Sequence, residues 1–259
     1  MRSMIRLLGL GAKKKARPQR PRLQLDMSDL IVYAMGDVHG CLDALLALER
    51  RIADDAVALP GRKLLVMLGD YVDRGPASAQ VLDHLVAPPP PGFHRICLAG
   101  NHEVAMLDYL EGRIDLRSWL LMGAGPTLLS YGIDHDRLRQ MHGNRRSIDN
   151  AVRDAIPAEH VAFLRTLPVL VESQRYVFVH AGIRPGVPMR EQDENDLVLI
   201  RAPFFDNADR LTRYVVHGHT PVKQAGREGM RVNLDSGAYF SGQLTALRIW
   251  RDTGRYLTN

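Results

Sequence analysis

The stretch Leu30-Ile31-Val32-Tyr33-Ala34-Met35-Gly36-Asp37-Val38-His39-Gly40 decides the fold. Apolar residues suited to a strand run into a glycine-bounded polar turn. Cys41 to Ala58 follows, with Leu42, Leu45, Leu46 and Leu48 at helical spacing. This is a strand, loop, helix unit with its polar residues at the carboxyl end of the strand. The unit recurs. Lys63 to Leu68 precedes Gly69-Asp70-Tyr71-Val72-Asp73-Arg74-Gly75 and a helix from Ala77 to Ala87. His94 to Leu98 precedes Gly100-Asn101-His102-Glu103, with a helix opening near Glu103. Successive units of this kind predict a largely parallel sheet whose functional loops lie at the carboxyl ends of its strands. Pro88 to Pro91 breaks the chain between the second unit and the third.

Farther along, from about Met106 to Ala162, the strand signal fades and helical stretches take over, with Gly123, Gly125, Pro126 and Gly132 as punctuation. A helical insertion over about residues 104–175 is expected to flank the site. Strands then return at Arg175 to Val179, Arg213 to Val216, Met230 to Leu234 and Gln243 to Trp250. They follow one another without long helices, so a second, more antiparallel sheet is expected. With 259 residues, 46% of them hydrophobic, the chain can bury one large core, and a single domain over residues 27–259 is the expectation.

The formal net charge of +5 is concentrated at one end. Arg2, Arg6, Lys13, Lys14, Lys15, Arg17, Arg20 and Arg22 fall in the first 25 residues, which contain no acid. Without those eight, 26 basic residues stand against 29 acidic ones, so the body is slightly acidic and offers no footprint for a specific nucleic acid. Residues 1–26 hold too little apolar material to order themselves and are expected to form a basic, disordered tail that can meet acidic surfaces. The apolar piece around Leu7 to Leu10 is too short for a secretory signal, and its basic run lies on the wrong side. No stretch approaches the roughly 18 apolar residues of a membrane span. Cys41 and Cys97 lie outside any metal-type spacing and are expected to be packing residues in a reducing cytoplasm.

The chemistry lies in the glycine-bounded clusters, to which His180-Ala181-Gly182 and Gly218-His219-Thr220 also belong. Asp37 and His39 leave an extended segment on one side and can hold one ion together. Asp70, at the end of the next strand, has two oxygens that can bridge that ion to a second one. Asn101, His180 and His219 suit the second ion, because an amide oxygen and two imidazoles fit Mn, Fe or Zn better than calcium. Two ions roughly 3.5 to 4 Å apart can hold a bridging hydroxide and clamp a phosphoryl group during in-line displacement. That implies phosphoester hydrolysis. Arg74 offers the planar fork that suits phosphate. His102 is free to donate a proton to the leaving group, and Asp73 is placed to orient its ring and raise its pKa.

The order Gly-Asp-x-His-Gly, Gly-Asp-x-x-Asp-Arg-Gly, Gly-Asn-His-Glu, His-Ala-Gly, Gly-His-Thr resembles the phosphoprotein-phosphatase branch of the calcineurin-like metallophosphoesterases, over about residues 31–250. The resemblance implies an α/β, four-layer sandwich of two central β-sheets flanked by helices. It implies a dinuclear Mn, or Fe and Zn, centre, with Asp37, His39 and Asp70 on one ion and Asp70, Asn101, His180 and His219 on the other. It further implies that Arg74 and Asn101 contact substrate and that His102, supported by Asp73, is the general acid. Leu197-Val198-Leu199-Ile200-Arg201 matches a second phosphate-binding arginine, Arg201, although bacterial relatives commonly carry Trp where this chain has Leu199. Ala181 and Thr220 follow the bacterial type.

The resemblance leads to a serine/threonine protein phosphatase, with a symmetrical dinucleoside-tetraphosphate hydrolase as the enzymatic rival and a non-catalytic scaffold as the third reading. Glu103 after His102 tilts toward the protein phosphatase, because the hydrolases more often have Asp there. His84, His94, His135, His142 and His160 are expected at the surface or in packing. His217 is either a partner of the ligands or simply buried. Asp235 either buttresses the site or serves a turn.

Overall fold

The computed structural model describes residues 17–141, 144–251 and 253–259. The strands are β1 (Arg22–Gln24), β2 (Leu30–Met35), β3 (Arg62–Met67), β4 (Phe93–Cys97), β5 (Leu170–Glu172), β6 (Tyr176–Val179), β7 (Tyr214–His217), β8 (Gly226–Glu228), β9 (Arg231–Asn233), β10 (Thr245–Trp250) and β11 (Thr253–Thr258). Between β2 and β4 lie the helices α1 (Leu42–Ala56) and α2 (Ser78–Val86). From β4 to β5 the chain is helical: α3 (Asn101–Leu110), α4 (Leu116–Leu120), α5 (Gly125–Ser130), α6 (His135–Met141), α7 (Arg145–Ala155) and α8 (Ala158–Thr166). Three short helices complete the set, α9 (Glu194–Leu199), α10 (Ala202–Phe205) and α11 (Ala238–Ser241).

Both faces of β2 are buried, and its alternation builds two cores at once. Ile31, Tyr33 and Met35 pack with Leu45, Leu48 and Ile52 of α1 and with Val81, Leu82 and Leu85 of α2. Leu30, Val32 and Ala34 point the other way and meet Val171, Phe178, Val216 and Val232 of the second sheet. The outer face of that second sheet packs Val177, Val179 and Val215 in one cluster with Leu164, Leu197, Val198 and Phe204 from helices. The result is the expected order of layers, helix, sheet, sheet, helix. Each fully buried aliphatic side chain in these interfaces contributes about 2 kcal/mol.

One sheet has the strand order β11-β10-β2-β3-β4 and the other β1-β5-β6-β7-β9-β8. Parallel pairing of β2 with β3 and of β3 with β4 sets Met35 level with Met67, and Met67 level with Cys97. The turns that carry Asp37, Asp70 and Asn101 therefore leave the sheet at one edge. The second sheet differs from the expectation of a more antiparallel arrangement. The β6–β7 and β7–β9 pairs are parallel: α9 and α10 provide the crossover from β6 to β7, and the chain returns from β7 to β9 through the edge strand β8. It is the first sheet that gains an antiparallel half, since β10 returns beside β2 and β11 pairs with β10.

The expectation of a disordered tail over residues 1–26 is also corrected for its described part, residues 17–26. Arg22–Gln24 adds to the edge of β5 as a parallel strand. The Arg20 guanidinium donates to Leu164 O at 2.8 Å and Leu167 O at 3.2 Å, and Arg22 donates to Met189 O at 2.7 Å. Arg17 pairs with Asp108 of α3. The segment has no core of its own, but an open sheet edge and unpaired carbonyls supply its partners. Residues 1–16 and His142 lie outside the described residues.

Candidate metal centre and active site

Asp37, His39, Asp70, Asp73, His102, His180 and His219 are buried together at the edge where the strands end, with Asn101 at the lip. Several of these residues sit in the left-handed region, with φ of 44° at His39, 53° at Asp70, 70° at Asp73, 69° at Arg74 and 67° at His219. Asp37 and His39 thus do not share the face of an extended strand, as their spacing suggests. A turn brings them in, with the Val38 and His39 N–H groups both donating to Asp70 O. The flanking glycines are required by close approach. A Cβ on Gly100 would lie 2.2 Å from Asp70 Oδ1, and one on Gly218 would lie 2.0 Å from Asp37 Oδ1.

The backbone fixes the ring orientations. His39 Nδ1 donates to Val72 O at 2.9 Å and His180 Nδ1 donates to Leu68 O at 2.9 Å, which leaves Nε2 of each ring facing the site. His39 Nε2 lies 3.5 Å and His102 Nε2 3.8 Å from Asp70 Oδ2. On the other side of the same carboxylate, His180 Nε2 lies 3.3 Å from Asp70 Oδ1. Asn101 Oδ1 is 3.0 Å from His180 Nε2 and 2.8 Å from His219 Nδ1. Two sets of side chains therefore share Asp70: His39, Asp70 and His102, and Asp70, His180 and His219. Asp37 belongs to neither set. Both of its oxygens accept the His219 N–H, at 3.3 and 3.0 Å.

This arrangement fits a divalent metal centre. With Nδ1 given to Leu68 O, His180 Nε2 faces Asn101 Oδ1 and Asp70 Oδ1, two oxygens that call for positive charge between them, supplied by a proton on Nε2 or by a bound cation that displaces it. His219 Nε2 is buried without a hydrogen-bond partner. Negative charge is in excess, because Asp37, Asp70, Glu103 and Asp235 are all buried. Burial and the neighbouring Asp235 charge hold the Asp37 carboxyl well above its usual range. Burial likewise pushes Asp235 up to about 6, against the Gly237 N–H that its carboxylate accepts. At His180 burial is outweighed by the Asp70 charge, which holds the ring proton up to about 10. Divalent ions bound here would supply Lewis acidity toward a phosphoryl oxygen and a nucleophile at neutral pH.

Beside this cluster stands a buried histidine–carboxylate pair. His102 Nδ1 is 2.7 Å from Asp73 Oδ2, so Nε2 is the atom that can give a proton to a leaving group. Burial lowers its pKa, but the Asp70 and Asp73 carboxylates overcome burial and leave it raised. Asp73 is itself held by Trp119 Nε1 at 3.0 Å, by the Thr127 hydroxyl at 2.8 Å and, through its own N–H, by Ser78 and Thr127. Arg74 lies at the mouth, 3.0 Å from His39 Nε2. Arg201 reaches the same region, 3.5 Å from His219 O.

Several supporting residues escape a motif reading. Trp119 and Thr127 come from the helical segment far along the chain. Glu103 was visible in its cluster but had no role there. Its carboxylate accepts the N–H groups of Asp70 at 2.7 Å, Tyr71 at 2.6 Å, Val72 at 3.2 Å and Gly100 at 2.9 Å. It thereby ties the Asp70 turn to the Gly100 turn. The readable signal was its place three residues after Gly100, the capping-box position of α3. His217 packs edge-on against Phe204 with ring centroids 5.1 Å apart and joins neither set. Asp235 both closes a turn and lies beside Asp37.

Comparison with known proteins agrees with this geometry. The asymmetrical bis(5'-nucleosyl)-tetraphosphatase PrpE of Anoxybacillus flavithermus is 25% identical over 239 residues, which cover 85% of this chain and 90% of that protein. A crystal structure of a putative diadenosine tetraphosphatase superposes with a TM-score of 0.60 at 20% identity, covering 92% of this chain and 97% of the other. A serine/threonine phosphatase from Saccharomyces cerevisiae shares the fold with a TM-score of 0.56 at 16% identity, covering 93% of this chain and 84% of that one. The family model for calcineurin-like phosphoesterases matches residues 30–242. That match spans most of the chain, which is therefore a member of the calcineurin-like phosphoesterase family.

Proposed function

We propose that this chain is a metal-dependent hydrolase of dinucleoside polyphosphates that cuts the phosphate chain off centre. The observation that carries this reading is the 25% identity to the asymmetrical tetraphosphatase PrpE, spread over 85% of the chain rather than confined to motifs. The two ions, Mn or else Fe and Zn, are held by Asp37, His39 and Asp70 and by Asp70, Asn101, His180 and His219. Asp37, whose oxygens accept the His219 N–H in this structure, would complete the first of these sets. Arg74, Arg201 and Asn101 hold the phosphoryl oxygens, and His102 protonates the leaving oxygen from Nε2 while Asp73 keeps its ring in place.

This reading replaces symmetrical cleavage as the dinucleotide alternative and moves ahead of the serine/threonine protein phosphatase. The protein phosphatase keeps one observation in its favour, Glu103 after His102. A turnover assay with Mn supplied separates them, comparing diadenosine tetraphosphate with a panel of phosphoserine and phosphothreonine peptides. AMP and ATP as the initial products support the proposal. Two ADP per substrate would mean symmetrical cleavage. A preference for a phosphopeptide above about a hundredfold, roughly 2.7 kcal/mol of transition-state binding, would establish the protein phosphatase instead.

A further inference from the structure

Large apolar side chains are sparse on this surface, yet two of them stand side by side at the mouth of the site. Tyr239 is 40% exposed and Phe240 63% exposed, both on the short helix α11. The Tyr239 ring meets His39 edge-on with centroids 5.4 Å apart and an interplanar angle of 81°. The Arg74 guanidinium lies 5.0 Å from the centroid of the same ring. Phe240 stands perpendicular to Tyr239, at 4.9 Å and 89°. Its ring folds back over Gly237, where a Cβ would come within 2.1 Å of Phe240 Cζ. Gly237 and Gly242, with φ of 68° and 73°, bracket the helix. Contacts with His39, Arg74 and Gly237 restrict the two rings before any ligand arrives, which lowers the entropic cost of binding on them.

We infer that Tyr239 and Phe240 form a stacking subsite for a nucleobase of the substrate, beside the phosphate-binding Arg74. The inference rests on the dinucleoside-polyphosphate reading and names how the nucleoside is recognised. A purine or pyrimidine offers a π-face to an exposed ring regardless of its hydrogen-bonding edge, and such stacking strengthens binding substantially. Arg74 links the two halves of the site, since it borders Tyr239 on one side and His39 on the other. A base on the rings would thus lie beside a phosphate held at Arg74. A peptide substrate lacks that planar group at a fixed distance from its phosphate.

The test is direct binding to the Mn-supplied full chain by titration calorimetry, with AMP and ribose 5-phosphate as probes. They share the sugar and the phosphate and differ by the base. AMP is expected to bind about tenfold or more tightly than ribose 5-phosphate. Tyr239→Ala and Phe240→Ala are each expected to shrink that ratio, and Phe240→Trp to preserve it. The ratio is taken within each variant, so a general weakening of the site cancels. Equal affinity for the two probes in the unaltered chain would overturn the subsite, as would a ratio that survives both alanine substitutions, or no detectable binding of either probe. An AMP preference lost on Phe240→Ala in a protein that splits no diadenosine tetraphosphate would uphold the subsite and reject the proposed reaction.

Discussion

Left-handed backbone at His39, Asp70, Asp73, Arg74 and His219 costs roughly 1 kcal/mol or more per residue, so the surrounding bonds must over-determine these turns. Glu103 does so for the Asp70 turn through its N–H contacts, and Thr127 does so for Asp73. The geometry leaves His102 two conceivable tasks, because its Nε2 also falls in the set with His39 and Asp70. His102→Asn separates them. As an acid, its loss should cut turnover of an alkyl phosphoester by about 10²- to 10⁴-fold, and turnover of p-nitrophenyl phosphate by much less, with metal content unchanged. A fall in bound metal, measured by elemental analysis, would make His102 a ligand instead. As candidates, Asp37, Asp70, Asn101 and His219 stand out in the sequence because each follows an apolar run and a glycine, while His39 precedes Gly40 and His180 ends an apolar run two residues before Gly182. Trp119 was not, because nothing in its local sequence announces that its indole nitrogen reaches Asp73.

Among the elements, the segment that includes β1 was misread. Its composition argues for disorder, and that argument holds only for a segment that must build its own core. Arg17, Arg20 and Arg22 dock it instead on α3, on the end of α8 and on the loop before α9. α3 opens with Asn101 and His102, so the segment braces an element of the site. Deleting residues 1–24 removes β1 and several partly buried hydrogen bonds and should destabilise the fold by about 3 kcal/mol. Denaturant unfolding of the truncated and full chains reads this directly, and an unchanged midpoint would show that the brace carries no energy. β2, β3 and β4 match the expectation to within one residue at each end, since β2 is apolar throughout and β3 and β4 run through apolar residues into a glycine-bounded cluster. β5 and β8, three residues each, are too short to show a period and exist because a neighbouring strand offers an edge.

For the molecule as a whole, the buried carboxylates at the end of the sheets imply that the metal centre is also a structural load. Chelation with EDTA should abolish phosphoester hydrolysis and lower the melting temperature, and Mn should restore both. A melting temperature indifferent to the chelator would mean that protons and arginines alone balance the charge. A second global property follows from the core. Burial pushes the Cys97 thiol from 9.0 up to about 12. The unfolded chain loses this proton first, so the stabilisation is complete below about pH 9 and is lost as the pH rises toward about 12. The stability advantage of the native chain over Cys97→Ala should narrow across that range. At pH 8 a thiol-specific disulfide reagent should modify Cys97 only after unfolding.

The sequence by itself determined the repeated strand, turn, helix units and the phosphoesterase family, and it pointed to the residues proposed to carry the reaction. Those depend on local order: an apolar run sets a strand, a glycine permits the turn, and the next polar residue is left at the strand end. Only the tertiary structure decided that His102 Nε2 falls in one set with His39 and Asp70, that Glu103 ties the Asp70 and Gly100 turns together and that a basic arm becomes a strand. It alone set Tyr239 and Phe240 beside Arg74. These are meetings of segments distant in the chain, produced by the register of parallel strands and the stacking of two sheets, and no spacing along the sequence encodes them.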